Sequence, residues 1–505
     1  MLQSFLPFSS ELWLIATLLA VLIVPFFTKH PSISTPTVAL AGVCFAFTSL
    51  FFTDSSPHQY FHNLLLTDPV STFWKGTLLL FTAAVLILWF ATHDRSHDTS
   101  DAPEYLTLLL GATLGMSLMA STNHLLMIFL SFELASLPSY VLAGFRKTHR
   151  LGAEASLKYV LFGAASSAVM AYGLSLLYGL FHSLSLPVIA HVLAASPSFP
   201  PLAAIALIAV ATGLGFKIAA APFHLWCPDV FEGAPIDIAV FLSVASKGAA
   251  LVLSLRTALT FAAAYNYAPT TPLIALSTTI AIIAAITCTL GNTAALAQTN
   301  IKRLLAYSSI AHAGYMLCAV SILLKTSHSA PGFTPSIAST ESLLLYLAVY
   351  MFMNLGAFSV LAIVHHHTGR DTLDAFQGLG RTSPIAAGCM FCSQISLIGL
   401  IPFAGFTAKL NILFALFRAG GWWWALIVTI SLNTVLSAFY YFRIVRAMYF
   451  EPPSPPNQPR YLGPPLILAI ALTSSLILFS MLLLFSPMSR LTTHFSQWSS
   501  LTLPN

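Results

Sequence analysis

Apolar runs of roughly 20 residues, separated by short polar connections, recur along almost the whole chain. A helix that crosses a bilayer needs about 20 predominantly apolar residues, so each run predicts a transmembrane span. The fourteen predicted spans cover 11–28, 37–53, 70–92, 104–120, 123–145, 156–181, 202–232, 237–257, 271–291, 301–324, 342–366, 384–418, 423–447 and 464–486. The connections between them are too short for a soluble domain. The pattern predicts an all-α polytopic membrane protein.

Two of these spans are predicted to be broken helices. The seventh span is interrupted near Pro222, and the twelfth carries Gly399, Pro402 and Gly405. The two spans are five apart, and because five is odd they cross the membrane in opposite directions. Interruptions at corresponding positions of two halves are typical of inverted repeats whose broken helices line a transport site. A proline kink that serves packing alone is the alternative for either break taken singly.

The composition agrees with a membrane location and argues against other classes of site. The chain has 505 residues, of which 57% are hydrophobic and only 7% charged, whereas a soluble domain carries roughly a quarter charged residues. Its six cysteines lie mostly in apolar runs and predict no disulfide framework. The C-x-x-C of Cys389 and Cys392 lacks a second pair or a nearby histidine, which favours packing over a metal site. The tract His365–His367 is likewise interpreted as a solvated face.

The basic residues predict the orientation of the chain. Thirteen fall in alternate connections: Lys29, Arg95, Arg146, Lys147, Arg150, Lys158, Lys302, Arg303, Arg370, Arg381, Arg443, Arg446 and Arg460. Five fall in the opposite connections: Lys75, Arg256, Lys325, Arg418 and Arg490. Because cytoplasmic loops carry an excess of Lys and Arg, the first set is predicted to be cytoplasmic and both termini to lie outside.

Three lysines remain, and all three fall inside predicted spans: Lys217 just before the first break, Lys247 in the next span, and Lys409 just after the second break. A lysine at membrane depth costs at least about 2.5–3.5 kcal/mol, so an intramembrane lysine is a functional-site hypothesis by default. Glu133 is the one acid that falls well inside a span, and Lys217 is its predicted partner, since a nearby opposite charge keeps a buried carboxylate ionised. A purely structural buried ion pair remains the alternative.

Three further polar residues are weaker candidates for a proton path. His224 follows the first break, and His312 lies in the tenth span. Histidine titrates near neutrality and is suited to proton relay, although either residue could equally be a hydrogen-bonded core histidine. Tyr307, with the serines that follow it, could hold water near one end of the tenth span, or could serve ordinary helix packing.

Several motifs resemble a known family. They are PFHLWCPDVFEGAP and FLSVASK around the first break, QTNIKRLLAYSSIAHAGY at 298–315, FELASLPSY around Glu133, and GFTAK ending at Lys409. They resemble the antiporter-like membrane subunits of the proton-pumping NADH-quinone oxidoreductase, bacterial respiratory complex I, and in particular its subunit N. The likeness runs from about the third span to the thirteenth. Lysine at 409 argues against the sister subunit M, whose terminal residue is acidic.

The resemblance implies a fold and residue roles. It implies about 14 transmembrane helices with two inverted five-helix repeats and discontinuous helices 7 and 12. The corresponding segments are an N-terminal segment at 1–103, repeats at 104–257 and 271–447, and a C-terminal helix and tail at 448–505. Glu133 would be the acid of the fifth span, Lys217 its partner, Lys247 the connecting base and Lys409 the terminal base.

The resemblance also implies function and partners. The chain would translocate protons across a bacterial inner membrane as a non-redox subunit. It would bind no cofactor or metal itself, while NADH, flavin, iron-sulfur clusters and quinone would belong to partner subunits. Expected partners are subunit M and the small membrane subunits A, J and K. The same acid and lysines would also suit a subunit of a multisubunit cation/proton antiporter or of a membrane-bound hydrogenase, so that alternative stays open here.

Overall fold

An α-helical bundle makes up the protein. The computed structural model describes residues 7–28, 31–53, 58–92, 101–146, 149–196, 199–265, 271–323, 335–452 and 470. Within these residues, eleven helices are long and apolar enough to cross a membrane. The one sheet in the described part of the chain is a hairpin of β1 (His58–Tyr60) and β2 (Leu65–Thr67). The predicted all-α membrane fold is confirmed.

Three helices precede the first group of five spans: α1 (Ser9–Ile23), α2 (Pro31–Ser49) and α3 (Pro69–Thr92). The group itself consists of α4 (Ala102–Met119), α5 (Leu125–Ala143), α6 (Arg150–Phe181), a broken span of α8 (Pro201–Ile218) and α9 (Trp226–Gly233), and a final span of α10 (Ile236–Phe241) and α11 (Lys247–Ala264). A π-helical segment, Leu242–Ser246, joins α10 to α11. The short helix α7 (Leu186–Ala195) was not predicted, because ten residues are too few to span a bilayer.

The second group repeats this order. It consists of α12 (Thr271–Leu296), α13 (Ile301–Leu323), α14 (Pro335–Thr368), a broken span of α16 (Pro384–Ile398) and α17 (Ala404–Ala419), and α18 (Trp424–Phe450). A one-turn helix, α15 (Leu379–Thr382), precedes the broken span. In both groups three continuous spans are followed by a broken fourth. Each of the first thirteen predicted spans coincides with a helix or a broken pair, and the fourteenth, at 464–486, lies outside the described residues apart from residue 470.

Glycine brings the first two helices of each group into close contact. A Cβ atom added to Gly115 of α4 would lie 2.4 Å from the backbone nitrogen of Ala135 on α5. A Cβ atom added to Gly291 of α12 would lie 2.6 Å from the backbone nitrogen of Ala311 on α13. Small residues allow membrane helices to approach in this way. The contacts fix α5 and α13, the two helices that carry most of the polar groups described below.

Many of the basic residues that were predicted in connections lie inside helices instead. Two of them form ion pairs in which both side chains are buried. Lys75 lies on α3 and forms an ion pair with Glu11 of α1 at 2.7 Å. Arg256 lies on α11 and pairs with Asp68 at 2.7 Å. All four side chains are buried. The placement of these residues in connections was wrong because, in the sequence alone, a charged residue near the end of an apolar run cannot be distinguished from one in a loop. Its buried partner is identified only in the folded structure.

Candidate functional site

The first broken span ends α8 immediately after Lys217 and leaves backbone groups without helical partners. The backbone N–H of Ala221 donates to Thr287 Oγ1 of α12 at 3.0 Å. The carbonyl of Phe216 accepts a hydrogen bond from Trp226 Nε1 at 3.0 Å. A break within a membrane is tolerated where protein groups satisfy the freed backbone in this manner. The predicted break near Pro222 is confirmed, and α12 of the second group helps to hold it.

Lys217 is fully buried in the last turn of α8. Its ammonium donates a hydrogen bond to Ser136 Oγ at 2.7 Å and lies 5.2 Å from the centre of the Phe132 ring. The C-terminal end of a helix carries partial negative charge, which favours a cation in the last turn. The helix end, one hydroxyl and one aromatic face therefore stabilise this buried charge.

Glu133 lies on α5, three residues before the serine that binds Lys217. Among the described residues it makes no ion pair within 4.0 Å with Lys217; its carboxylate accepts a hydrogen bond from Ser167 of α6 instead. It is nonetheless close enough to Lys217 to attract the ammonium electrostatically. Glu133 and Lys217 are therefore near each other but not in direct contact. The half-buried carboxylate is bound by α6 through Ser167.

Lys247 begins α11 directly after the π-helical segment and is 1% exposed. Its ammonium donates to Ser309 Oγ of α13 at 2.5 Å and to Cys227 Sγ of α9 at 3.4 Å. The Phe231 ring centre lies 5.6 Å away. Because α13 belongs to the second group of spans, Lys247 contacts both groups.

Lys409 lies on α17, beyond the second break, and contacts the helix before it. Its ammonium donates to the carbonyls of Leu397 and Ile398, at 3.2 and 2.7 Å, at the end of α16. Gly399 follows with a left-handed φ of 83°, which ends α16 and leaves these carbonyls free. The predicted second break is confirmed, and the terminal lysine itself satisfies the backbone that the break exposes.

Helix α13 connects the environments of Lys247 and Lys409. Ser309, His312 and Tyr315 follow one another at intervals of three residues, which places them along one side of the helix. Ser309 binds Lys247, and the Tyr315 ring centre lies 4.9 Å from the Lys409 ammonium. The buried His312 imidazole lies between them, with Nδ1 2.7 Å from the Tyr346 hydroxyl. Three polar side chains thus line one side of α13 between the second and third lysines.

The remaining candidates differ in how closely they approach the lysines. His224 is half-buried just before α9 and interacts electrostatically with Lys247. Among the described residues, its Nδ1 atom has no hydrogen-bond partner. Tyr307 is half-buried, and no hydrogen bond or ring contact joins it to a site lysine in the described part of the chain. Its neighbour Ser308 instead hydrogen-bonds Tyr441 of α18.

Sequence reasoning named Ser309 only as a serine that could hold water or serve helix packing, and it missed the other side chains that contact the lysines. Ser136, Ser309, Cys227 and Tyr315 all lie in apolar runs where serine, cysteine and tyrosine are ordinary packing residues. Their spacing from the charged residues on the same helix is the only signal that could have found them. No group of three histidine, cysteine, aspartate or glutamate residues in the described ranges is arranged to hold a metal ion.

Known proteins are similar to this chain in both sequence and arrangement of helices. Residues 122–437, more than half of the chain, match the family described as NADH:quinone oxidoreductase/Mrp antiporter, TM. The protein named NADH-quinone oxidoreductase subunit N 2 of Sorangium cellulosum is 40% identical over 410 residues, which are 79% of this chain and 78% of that protein. The protein named NADH-quinone oxidoreductase subunit N of an Anaeromyxobacter species is 39% identical over 437 residues, which are 82% and 81% of the two chains.

A solved structure extends the likeness to three dimensions. A chain in the structure titled respiratory complex I from Thermus thermophilus with bound aureothin superposes with a TM-score of 0.73 at 32% identity. The match covers 94% of this chain and 97% of that one. Sequence and fold lead to one assignment: the chain belongs to the NADH:quinone oxidoreductase/Mrp antiporter family of membrane subunits.

Proposed function

We propose that this protein is the N-type antiporter-like subunit of a proton-pumping NADH-quinone oxidoreductase and moves protons through its buried lysines. The observation that carries the proposal is the connection along α13, where Ser309 contacts Lys247 and Tyr315 contacts Lys409. Its relatives named as subunit N and the complex I chain that shares its fold support the redox assignment. Redox chemistry takes place in other subunits, and this chain converts a conformational or electrostatic signal into proton movement.

In the proposed path, a proton enters from the cytoplasm through the first group of spans and rests on Lys247. It then passes along Ser309 and His312 to Lys409, and leaves through the second group. Lys247 and Lys409 lack a carboxylate within 4.0 Å among the described residues, so deprotonation leaves no acid unpaired. This arrangement favours reversible protonation over a permanent ion pair.

Glu133 and Lys217 act in this proposal as the element that controls loading. Displacing the Glu133 carboxylate toward or away from Lys217 changes how strongly the ammonium is stabilised. A tenfold change in the proton affinity of a group corresponds to about 1.36 kcal/mol. A change of a few powers of ten therefore suffices to load and release a proton at the neighbouring Lys247. His224, close to Lys247, is proposed as a further relay, and Tyr307 as a residue that holds water near the cytoplasmic end of α13.

Assembly and location follow from the same assignment. We infer that the functional segments are 1–103, 104–257, 271–447 and 448–505, in a bacterial inner membrane with both termini outside. The proposed partners are subunit M and the small subunits A, J and K, with NADH, flavin, iron-sulfur clusters and quinone bound by other subunits. Reporter tags in the connections at 146–158 and 366–383 should respond as cytoplasmic, and a tag at the C-terminus as external.

The experiment that tests the assignment is purification through an affinity tag on this chain. We expect NADH-oxidising and quinone-reducing subunits to copurify, and proton uptake by inverted vesicles to require NADH and a quinone. A preparation that exchanges sodium for protons and contains no NADH-oxidising subunit would instead assign the chain to a multisubunit cation/proton antiporter.

A further inference from the structure

Buried hydroxyl groups occupy the space between Lys217 and Lys247. Tyr140 of α5, Tyr159 of α6 and Ser246 at the end of the π-helical segment are 4%, 0% and 0% exposed. None of their hydroxyl oxygens has a hydrogen-bond partner in the described part of the chain. Buried hydroxyls are normally hydrogen-bonded, and an unpaired one requires an explanation such as a bound water molecule.

These hydroxyls follow one another from the first lysine to the second. Ser136 binds the Lys217 ammonium, and Tyr140, one helical turn further along α5, interacts with Ser136. The Tyr140 and Tyr159 rings meet edge to face with centroids 4.6 Å apart. The Tyr159 hydroxyl is in turn close enough to Ser246 to interact with it, and Ser246 directly precedes Lys247.

The surrounding structure holds both tyrosines in fixed positions. The Tyr159 ring stacks on Trp226 of α9 with centroids 4.4 Å apart and an interplanar angle of 11°. A Cβ atom added to Gly163 of α6 would lie 2.0 Å from the Tyr140 hydroxyl oxygen, so only glycine leaves room for that hydroxyl. The added Cβ atom would also lie 2.4 Å from Cζ of the Tyr140 ring, so Gly163 makes room for the end of that ring together with its hydroxyl. The stacking on Trp226 and the contact with Gly163 therefore fix where the two phenol groups lie.

We propose that Tyr140, Tyr159 and Ser246 form a hydroxyl relay that transfers a proton between Lys217 and Lys247. The relay rests on the proton-translocating function proposed above and assigns it three further residues. Water molecules bound to the three hydroxyls complete the hydrogen-bonded chain. Lys217 gives one proton to Ser136, each hydroxyl or water passes its own proton onward, and Lys247 accepts the last one. One N–H bond breaks and one forms, and every intermediate group regains its proton.

The test uses the assembled complex with Tyr159→Phe, which keeps the ring, its stacking on Trp226 and its contact with Tyr140. We expect normal assembly and normal NADH oxidation in uncoupled membranes. Proton transfer through this subunit should slow about two- to ten-fold, the kinetic equivalent of one lost hydrogen bond. Transfer should also become more sensitive to replacement of H2O by D2O, a response that altered packing alone would not produce.

Tyr265→Phe is the matched control, because among the described residues the Tyr265 hydroxyl is also buried without a hydrogen-bond partner, but it follows α11 at the end opposite Lys247. Ser246→Ala and Tyr140→Phe test the relay independently, so a folding defect in one variant leaves two others. Protons pumped per NADH oxidised should fall in all three and remain normal in the control.

Lys247→Ala separates failure of the relay from failure of the proposed function. If Lys247→Ala lowers pumping while all three hydroxyl variants pump like Tyr265→Phe, the relay is wrong and the proposed function stands. If Lys247→Ala pumps normally per assembled complex, the proposed function is wrong and the relay with it.

Discussion

Two sets of buried basic residues in this protein are stabilised in different ways. Near the beginnings of α1 and α3, Lys75 forms a 2.7 Å ion pair with Glu11, whose carboxylate also accepts hydrogen bonds from Ser10 and Ser117. Arg256 and Asp68 form a second such pair. The three central lysines instead bind hydroxyls, a thiol, backbone carbonyls and aromatic faces.

The difference separates a permanent charge from an exchangeable one. Removing the proton from a paired lysine leaves its carboxylate buried and unpaired, which is costly. Removing it from a lysine bound by hydroxyls and carbonyls leaves only neutral dipoles, and these tolerate either protonation state better. We therefore propose that the paired residues serve assembly, where they join α1 to α3 and the residue before α3 to α11, and that the central lysines serve proton movement.

The largest expected effect is at Lys247. Lys247→Ala should reduce proton transfer through this subunit by at least about 100-fold, the scale of a lost general acid or base. Lys247→Arg should also impair it, because arginine keeps its proton. The measurement is pumping per assembled complex in inverted vesicles. Wild-type pumping by a fully assembled Arg variant would contradict the role of Lys247 as a proton site.

The opposite result is expected for Glu11. Glu11→Gln should leave Lys75 without its anion and cost about 3–5 kcal/mol of stability, the usual penalty for breaking a buried pair from one side. The amount of assembled complex should fall, while pumping per assembled complex stays normal. The double variant Glu11→Gln with Lys75→Met is the control and should recover much of the assembly. Reduced pumping per assembled complex would place this pair on the proton path.

Glu133 tests the boundary between the two sets. The Glu133 carboxylate does not contact Lys217 directly, and glutamine would keep its size and its hydrogen bond with Ser167. Glu133→Gln should therefore leave assembly close to normal. Pumping per complex should fall, because the charge that attracts Lys217 is lost. Quantifying both in the same preparations separates the roles. Poor assembly with normal pumping per complex would make Glu133 an architectural residue like Glu11.

The smallest expected effect concerns Asp371, in the connection after α14. Burial raises the pKa of this carboxyl. The His365 ring nitrogen, 2.7 Å from the carboxylate, and the Lys302 ammonium, 3.5 Å from it, lower the pKa by more, so the pKa lies below its usual value. A carboxyl whose pKa is lower in the folded state than in the unfolded state stabilises the fold at pH values above the unfolded-state pKa of about 3.9. This stabilisation is lost as the pH falls through the folded-state pKa. Asp371→Asn should lower the thermal midpoint slightly at pH 7 and flatten its decline in acid. An unchanged acid profile would show that Asp371 contributes nothing to it.

Much of this organisation was predictable from residues considered one span at a time. Run length predicted the helices, and the breaks near Pro222 and Pro402 followed because proline lacks a backbone N–H and glycine permits left-handed conformations. The burial of Lys217, Lys247 and Lys409 followed from their positions inside apolar runs, and the structure bears it out. The π-helical segment before Lys247 left no signal in the sequence pattern, because Leu242–Ser246 is as apolar as the helices on either side.

The sequence by itself determined which charged side chains enter the membrane and where the helices that hold them are broken, because both depend on local chemistry along one span. Tertiary structure alone decided which groups meet each charge. Lys75 and Arg256 form ion pairs with carboxylates of α1 and of the residue just before α3. Lys409 binds carbonyls at the end of α16, and Lys247 binds a serine of the other repeat. The partners are up to 188 residues apart in the chain, and in a low-dielectric interior it is the partner at 3 Å that determines whether a charge is fixed or exchangeable.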